Sequence, residues 1–168
     1  RRWTNGSFLL HADTGAPLTE ADLNPTGSNE RFVAWDERGN TAVVYDPAMG
    51  RFAIEPAQLA LSGEWLVTTK DGGEILYRPV FAALAMLAAT YNPEASAVIT
   101  GVPAENVRQA AELLTANRPV SMFMHNGVGQ HTNATQTSRA IATLYALLGD
   151  FDQPGGNVCP RRKGILAM

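Results

Sequence analysis

The stretch SMFMHNGVG (121–129) is followed directly by QHTNATQTSRAIATLYALL (130–148). Its first five residues predict a buried strand, its glycines a loop, and the remainder a long amphipathic helix. A loop of this kind leaves backbone N–H groups at the helix N-terminus without partners inside the helix. Those donors and the positive end of the helix dipole favour phosphate or another anion. The stretch therefore predicts a nucleotide-like ligand.

Helices are expected on both sides of this strand. One begins at Pro79, because apolar residues recur at helical spacing from Val80 to Tyr91. A second spans 103–117 and ends before Pro119, and the third spans 133–148. The order helix, strand, helix predicts an α/β fold in which the C-terminal half is part of a doubly wound, Rossmann-like domain.

The first 77 residues are expected to be β-rich. Short apolar runs alternate with Asp and Gly turn signals, and 68–76 is the clearest hairpin. Nine apolar side chains on inward stripes or in strands are expected to be buried: Trp35, Val80, Leu84, Val107, Leu114, Phe123, Ile141, Leu144 and Leu148.

Composition narrows the class of protein. The chain has 168 residues, 45% of them hydrophobic and 17% charged, as in a globular protein. A net charge of −3 argues against a nucleic-acid partner, which requires a basic face. No apolar run reaches the roughly 18 residues of a transmembrane segment. Cys159 is the only cysteine, so an internal disulfide and a Cys-only metal site are excluded.

Both ends of the chain look cut, which predicts an internal portion of a longer polypeptide. The sequence begins Arg1-Arg2-Trp3 rather than with Met, and it stops just after the cationic run 161–163. A cut N-terminus gives no information on targeting. The compartment, cytoplasmic or periplasmic, is therefore left open.

The loop Asn126–His131 is the first candidate site. Gly127 and Gly129 permit a tight turn and close approach of a ligand, and the amides of Asn126 and Gln130 offer donors and acceptors. The alternative is a plain strand–helix connection with Thr132 or Asn133 as the helix N-cap. Composition alone gives the two interpretations equal weight, because an isolated glycine loop is a weak motif.

Other patterns in this region are weaker. The dinucleotide fingerprint G-x-G-x-x-G is half met, since Thr132 stands in place of the third glycine, so an ordinary NAD site is not favoured. His125 and His131 are more often structural than catalytic at such positions. No spacing of His and Cys predicts a metal site built by the protein.

The turn Pro154–Asn157 is the second candidate. Gly155 and Gly156 allow unusual backbone angles and close approach of a ligand, although a plain turn explains them equally well. Arg161, Arg162 and Lys163 could neutralise phosphates, but a cationic run is usually solvated surface.

Three segments in order resemble one family. ITGVPAENVRQAAELL (99–114), NGVGQHTNATQTSRAIATLYALLGDFDQPGGNV (126–158) and WTNGSFLLHADTG (3–15) are together similar to the molybdopterin oxidoreductases of the dimethyl-sulfoxide-reductase type. Members carry molybdenum or tungsten on two pyranopterin guanine dinucleotides. TNGSFLL (4–10) and GEILYRPVF (73–81) are most similar to the branch of thiosulfate or polysulfide reductases and acetylene hydratase.

The resemblance implies an internal fragment of an oxidoreductase catalytic subunit. The family's cysteine cluster for a [4Fe-4S] centre, its protein ligand to the metal and its final pterin-binding domain are not found in these 168 residues. The fragment alone is therefore expected to be inactive, with no catalytic or metal-ligating residue of its own. The implied partners are the remaining domains of the catalytic subunit and an iron–sulfur electron-transfer subunit.

The resemblance also implies which residues bind the cofactor. The family's contact positions match Asn126 and Gln130, and nearby residues line the same region. The full set is Asn126, Gly127, Val128, Gly129, Gln130, His131, Gly155, Gly156 and Asn157.

The expected organisation has three parts. They are a β-rich hairpin portion (1–77), an α/β cofactor-binding portion (78–158) and a tail (159–168) leading into a missing domain. The predicted function is to bind one pyranopterin guanine dinucleotide of the metal cofactor. The alternative is a free-standing Rossmann-like nucleotide-binding module without catalysis, and a reading frame that continues past both ends would distinguish the two.

Overall fold

The computed structural model describes residues 4–158, which form two compact units divided between Asn92 and Pro93. The tail 159–168, which includes Cys159 and the cationic run, lies outside the described residues. No helix within 4–158 is long and apolar enough to cross a membrane.

The elements of the first unit in chain order are β1 (Leu9–His11), α1 (Glu20–Leu23), β2 (Val33–Asp36), β3 (Thr41–Asp46), β4 (Arg51–Phe52), β5 (Trp65–Thr68), β6 (Glu74–Pro79) and α2 (Val80–Thr90). A short 3-10 helix, Pro56–Gln58, precedes β5. The strands form two antiparallel sheets of three strands each, ordered β1-β6-β5 and β2-β3-β4.

The hairpin expected at 68–76 is confirmed. Thr68 pairs with Glu74 across the turn, and Leu66 pairs with Leu76. Gly72 has φ +80°, a left-handed conformation that glycine adopts without strain, so the turn signal in the sequence has a direct backbone cause.

The core of the first unit lies between strands of both sheets. Leu9, Leu18 and Val33 are fully buried, and Trp35 is 8% exposed, which confirms its expected burial. The rings of Trp35 and Trp65 stack with centroids 5.2 Å apart. Aromatic stacking adds to the free energy that burial of this area supplies.

Helix α2 belongs with the first unit. It continues directly from β6, and the N–H groups of Val80 and Phe81 donate to the carbonyls of Phe8 and Gly6. These bonds tie the start of α2 to the chain beside β1. The division of the structure accordingly follows α2, whereas the expected portion boundary, between 77 and 78, precedes it.

The second unit is helical in its described residues. Its helices are α3 (Pro93–Thr100), α4 (Ala104–Ala116), α5 (Asn126–Gly129) and α6 (Ala134–Leu148). The expected helices over 103–117 and 133–148 are confirmed, and Gly149 ends α6 in a left-handed conformation, φ 69°. Helix α3 was not expected from the sequence.

The buried strand expected over 121–125 is wrong for the described residues. No strand is present there, and Phe123 is 93% exposed. The N–H of Val120 and both polar backbone groups of Met122 bond to side chains rather than to a neighbouring strand. Without a paired strand no sheet forms here to bury Phe123. The Rossmann-like arrangement therefore stays a prediction.

The other burial predictions divide by exposure. Leu144 is 41% exposed, so its expected burial is also wrong. No described residue of α6 is fully buried. Six further residues that were expected to be buried are half-buried: Val80, Leu84, Val107, Leu114, Ile141 and Leu148.

Candidate functional site

The loop Asn126–His131 forms a single helical turn rather than an open glycine loop. Helix α5 occupies Asn126–Gly129, and the N–H of Val128 donates to the His125 carbonyl at 3.2 Å. Asn126, Gln130 and His131 are exposed, while Val128 is half-buried. The polar groups of the loop therefore face outward from the described residues, where a ligand could reach them.

The two glycines of this loop have no steric reason within the fold. A Cβ built at Gly127 or Gly129 would meet no described atom within 4 Å. Neither residue is among the glycines with a positive φ. The described residues therefore leave space for a side chain at both positions, and this space would admit a ligand close to the backbone.

Asn133 is the N-cap of α6, one of the two residues expected in that role, although its side chain makes no capping hydrogen bond. The N–H of Ala134 donates to the His131 carbonyl at 3.1 Å. A helix of 15 residues begins at this point, so its N-terminus adds a positive potential beside the loop.

The turn Pro154–Asn157 is tightly built. Gly155 has φ +87°, and a Cβ at Gly156 would lie 1.9 Å from the Asp150 carbonyl oxygen. The N–H of Gly156 donates to the Gln153 carbonyl, and Asp152 donates to the Asn157 carbonyl. The fold itself therefore requires both glycines, as the plain-turn interpretation predicts, and the cofactor contact implied by the resemblance stays a prediction.

Side chains connect this turn to the segment that leads into the loop. Ser121 Oγ donates to the Gly155 carbonyl at 2.8 Å. The Asn157 amide accepts from the Met122 N–H at 2.7 Å and donates to the Met122 carbonyl at 2.8 Å. The hydroxyl of Tyr145 on α6 donates to the same carbonyl. The turn Pro154–Asn157 and the segment that leads into the Asn126–His131 loop thus share one hydrogen-bonded framework.

An ion pair that the sequence analysis missed lies at the base of this framework. Arg118 donates to the carboxylate of Asp150 from Nε at 3.1 Å and from Nη2 at 2.7 Å. Asp150 is 3% exposed and also accepts the Val120 N–H at 3.0 Å. The two charges stand 32 residues apart, so no local spacing pattern could have revealed the pair.

Arg118, and to a smaller extent the Val120 N–H, hold the pKa of Asp150 below its usual 3.8, against the opposing effect of burial. A lowered pKa stabilises the folded state above about pH 4, and this stabilisation is lost as pH falls through the lowered pKa. Replacing Asp150 with Asn is therefore expected to lower the free energy of unfolding of the second unit at neutral pH. In its acid unfolding profile the variant should also lose less of that free energy than the wild type as pH falls below about 4.

Circular dichroism during acid titration measures this profile. Asp152→Asn is the matched control, because Asp152 is an exposed carboxylate in the same region. An Asp150→Asn profile that stays as steep as that of the wild type would contradict the role given to this carboxylate.

The histidines divide into one with a structural role and two exposed residues. His11 accepts the N–H groups of Asp13 and Thr14 through Nδ1, so it shapes a turn. His125 is the N-cap of α5 and is exposed, as is His131. Within residues 4–158, no three His, Cys, Asp or Glu residues are grouped so as to hold a metal ion.

A cavity of about 1080 Å³ lies in the first unit. Phe8, Tyr45 and Phe52 line it together with Arg31 and Arg51. None of the residues predicted to bind a cofactor lines this cavity.

Comparisons with known proteins identify relatives along most of the chain. It is 32% identical to dimethylsulfide dehydrogenase subunit alpha of Rhodovulum sulfidophilum, over 91% of this chain and 17% of that protein. It is 30% identical to perchlorate reductase subunit alpha of Dechloromonas aromatica (strain RCB), over 92% of this chain and 19% of that protein. Dopamine dehydroxylase of Eggerthella lenta is 36% identical over 68% of this chain and 12% of that protein.

No family model matches the chain. The chain spans less than one fifth of the length of each of these curated relatives.

Proposed function

The chain belongs to the molybdopterin oxidoreductases of the dimethyl-sulfoxide-reductase type, and on that premise we propose that it forms part of the catalytic subunit of a molybdenum or tungsten oxidoreductase. Within that subunit it binds one pyranopterin guanine dinucleotide of the metal cofactor. Relatives named for dimethylsulfide oxidation and perchlorate reduction support the reaction class. The closer similarity to the thiosulfate reductase and acetylene hydratase branch stays a prediction.

The proposal that the cofactor lies against the Asn126–His131 loop rests on Gly127 and Gly129. Since the fold leaves room for a Cβ at both, their identity fits a ligand that lies against the backbone. The exposed amides of Asn126 and Gln130 offer donors and acceptors to a guanine or a phosphate oxygen. The N-terminus of α6 adds a favourable potential for phosphate.

The cofactor supplies redox chemistry at its metal when bound. The residues of this chain contribute binding and orientation, since cofactor enzymes leave the hard chemistry to the cofactor. The loop would hold the dinucleotide, and the framework of Met122, Asn157 and Tyr145 would keep the base of the loop in place. The relatives' designation as alpha subunits is consistent with further subunits as partners. We propose that the partners are the remaining domains of the catalytic subunit, whose N-terminal part would hold a [4Fe-4S] centre, and an iron–sulfur electron-transfer subunit.

Substitutions in the loop are expected to lower cofactor content without unfolding the protein. Gly129→Val places a side chain where the fold has room but the ligand would lie. Gln130→Ala removes an amide, which is expected to weaken retention by about 1–3 kcal/mol if the ligand buries that hydrogen bond. Metal analysis of the purified full-length variants, with circular dichroism to verify folding, measures both effects.

Gln136→Ala is the matched control, because Gln136 is an exposed amide on α6 outside the loop. We expect this variant to keep the metal content of the wild type. Wild-type metal and pterin content in both loop variants, with the fold intact, would show that the loop is a plain connection between elements. If the purified wild type also retained a nucleotide but no metal, this result would support the alternative of a nucleotide-binding module without catalysis.

A further inference from the structure

The amide of Asn157 binds both polar backbone groups of a single residue. Oδ1 accepts the N–H of Met122 at 2.7 Å, and Nδ2 donates to its carbonyl at 2.8 Å. A neighbouring β-strand would pair with Met122 in this same double manner. Asn157 is half-buried, so water competes only partly for these bonds. The side chain therefore fixes the backbone of Met122 in orientation as well as in position.

Two further contacts converge on the same place. The Tyr145 hydroxyl shares the Met122 carbonyl with Asn157, and Ser121 Oγ bonds the Gly155 carbonyl. Asn126, the first residue of the loop, follows Met122 by only four residues. The start of α5 therefore lies within four residues of the backbone that Asn157 holds.

The resemblance implies that Asn157 binds the cofactor, but its amide is already engaged by Met122. We propose instead that Asn157 is a positioning residue, whose side chain sets the geometry of the Asn126–His131 loop through Met122 rather than by contacting the cofactor. The assignment rests on the proposed function for the loop. An amide is needed at this position, because the N–H of Met122 requires an acceptor and its carbonyl requires a donor. An Asp of the same size supplies acceptors only and places one of them against the Met122 carbonyl.

Three variants of the full-length protein test this assignment. Asn157→Ala removes both hydrogen bonds, Asn157→Asp removes the donor, and Asn157→Gln keeps donor and acceptor on a side chain one methylene longer. Asn106→Ala is the control, since Asn106 is an exposed residue on α4. Backbone hydrogen exchange of residues 120–125 and metal content are measured for each variant, with thermal unfolding as a check on global stability.

We expect Asn157→Ala and Asn157→Asp to raise exchange of 120–125 by at least about fivefold, as loss of an ordinary hydrogen bond would. Metal content should fall at least about threefold in both, and Asn157→Gln should recover more than half of each loss. Unchanged exchange in Asn157→Ala overturns the proposal. Faster exchange with wild-type metal content overturns the positioning role, as does an Asn157→Asp variant that behaves like the wild type.

Gln130→Ala separates this proposal from the proposed function. It should lower metal content while leaving exchange of 120–125 unchanged, because the amide of Gln130 does not hold Met122. If Gln130→Ala and Gly129→Val both retain metal, cofactor binding by the loop is wrong. Under that outcome, loss of metal confined to the Asn157 variants would also overturn positioning through the loop, because Asn157 would then act on the cofactor by another route.

Discussion

Gly156→Ala is expected to destabilise the second unit by more than about 3 kcal/mol, above the usual cost of overpacking. The added Cβ would lie 1.9 Å from the carbonyl oxygen of Asp150 and 3.3 Å from that of Gln153. Both obstacles are backbone atoms, so no side chain can rotate away to relieve the clash. The turn would have to open, and the contacts of Asp150 and Asn157 would be lost with it.

Hydrogen exchange of residues 118–122 and 148–157 measures the local effect, and urea titration measures the free energy of unfolding. Gly73→Ala is the matched control, because its Cβ would have only Thr69 Oγ1 within 4 Å, at an ordinary 3.7 Å. If the Gly156 variant matched the control within about 1 kcal/mol, the turn would have a different backbone from the one described.

Trp35→Ala is expected to lower the free energy of unfolding of the first unit by about 3–5 kcal/mol, the usual cost of emptying a buried Trp site. Trp35 lies on β2, where all four residues are buried, and it stacks on Trp65. The cavity would be lined by the fully buried Leu9 and Val33 cluster, which has little freedom to collapse.

The control for Trp35→Ala is Leu66→Ala on β5. Leu66 is 60% exposed, so its truncation removes little buried area. Urea titration followed by circular dichroism compares the two variants. A loss at Trp35 no larger than the loss at Leu66 would place the core of the first unit elsewhere.

Local signals predicted much of the fold because their causes are local. The hairpin of β5 and β6 follows from turn residues, and α4 and α6 follow from apolar periodicity with clear helix ends. Helix α1 was missed although Thr19 and Asp22 form a capping box, a signal that the sequence displays. Helix α3 was missed because a proline such as Pro93, at its start, is typical of a turn as well as of a helix N-terminus.

Burial in the second unit was harder to predict because it depends on what packs from outside the element. Periodicity identifies an apolar face, but it does not identify the surface that covers it. The errors at Phe123 and Leu144 are of this kind. The expected strand at 121–125 failed for a related reason, since a strand requires a partner and these residues bond to side chains instead.

The candidate site was chosen from the sequence and stays a prediction, and the sequence alone did not distinguish the structural roles of its residues. Glycines at 127, 129, 155 and 156 look equivalent in the sequence, whereas Gly156 is required by a backbone clash and Gly127 and Gly129 are not. The contacts of Arg118 with Asp150 and of Asn157 with Met122 join residues more than 30 positions apart. Pairings at such separation appear only once the chain has folded.

The hydrogen bonds to Val120 and Met122 have a consequence for how a sheet could grow. Asp150 takes the N–H of Val120, and Asn157 takes both polar groups of Met122. In an extended chain alternate residues direct these groups to the same edge. If this segment is extended, that edge is therefore already occupied by the side chains of Asp150 and Asn157. An incoming strand can pair only along the side of Ser121 and Phe123. We therefore expect this segment to join any sheet as its terminal strand, and to resist pairing with a second molecule along its closed edge.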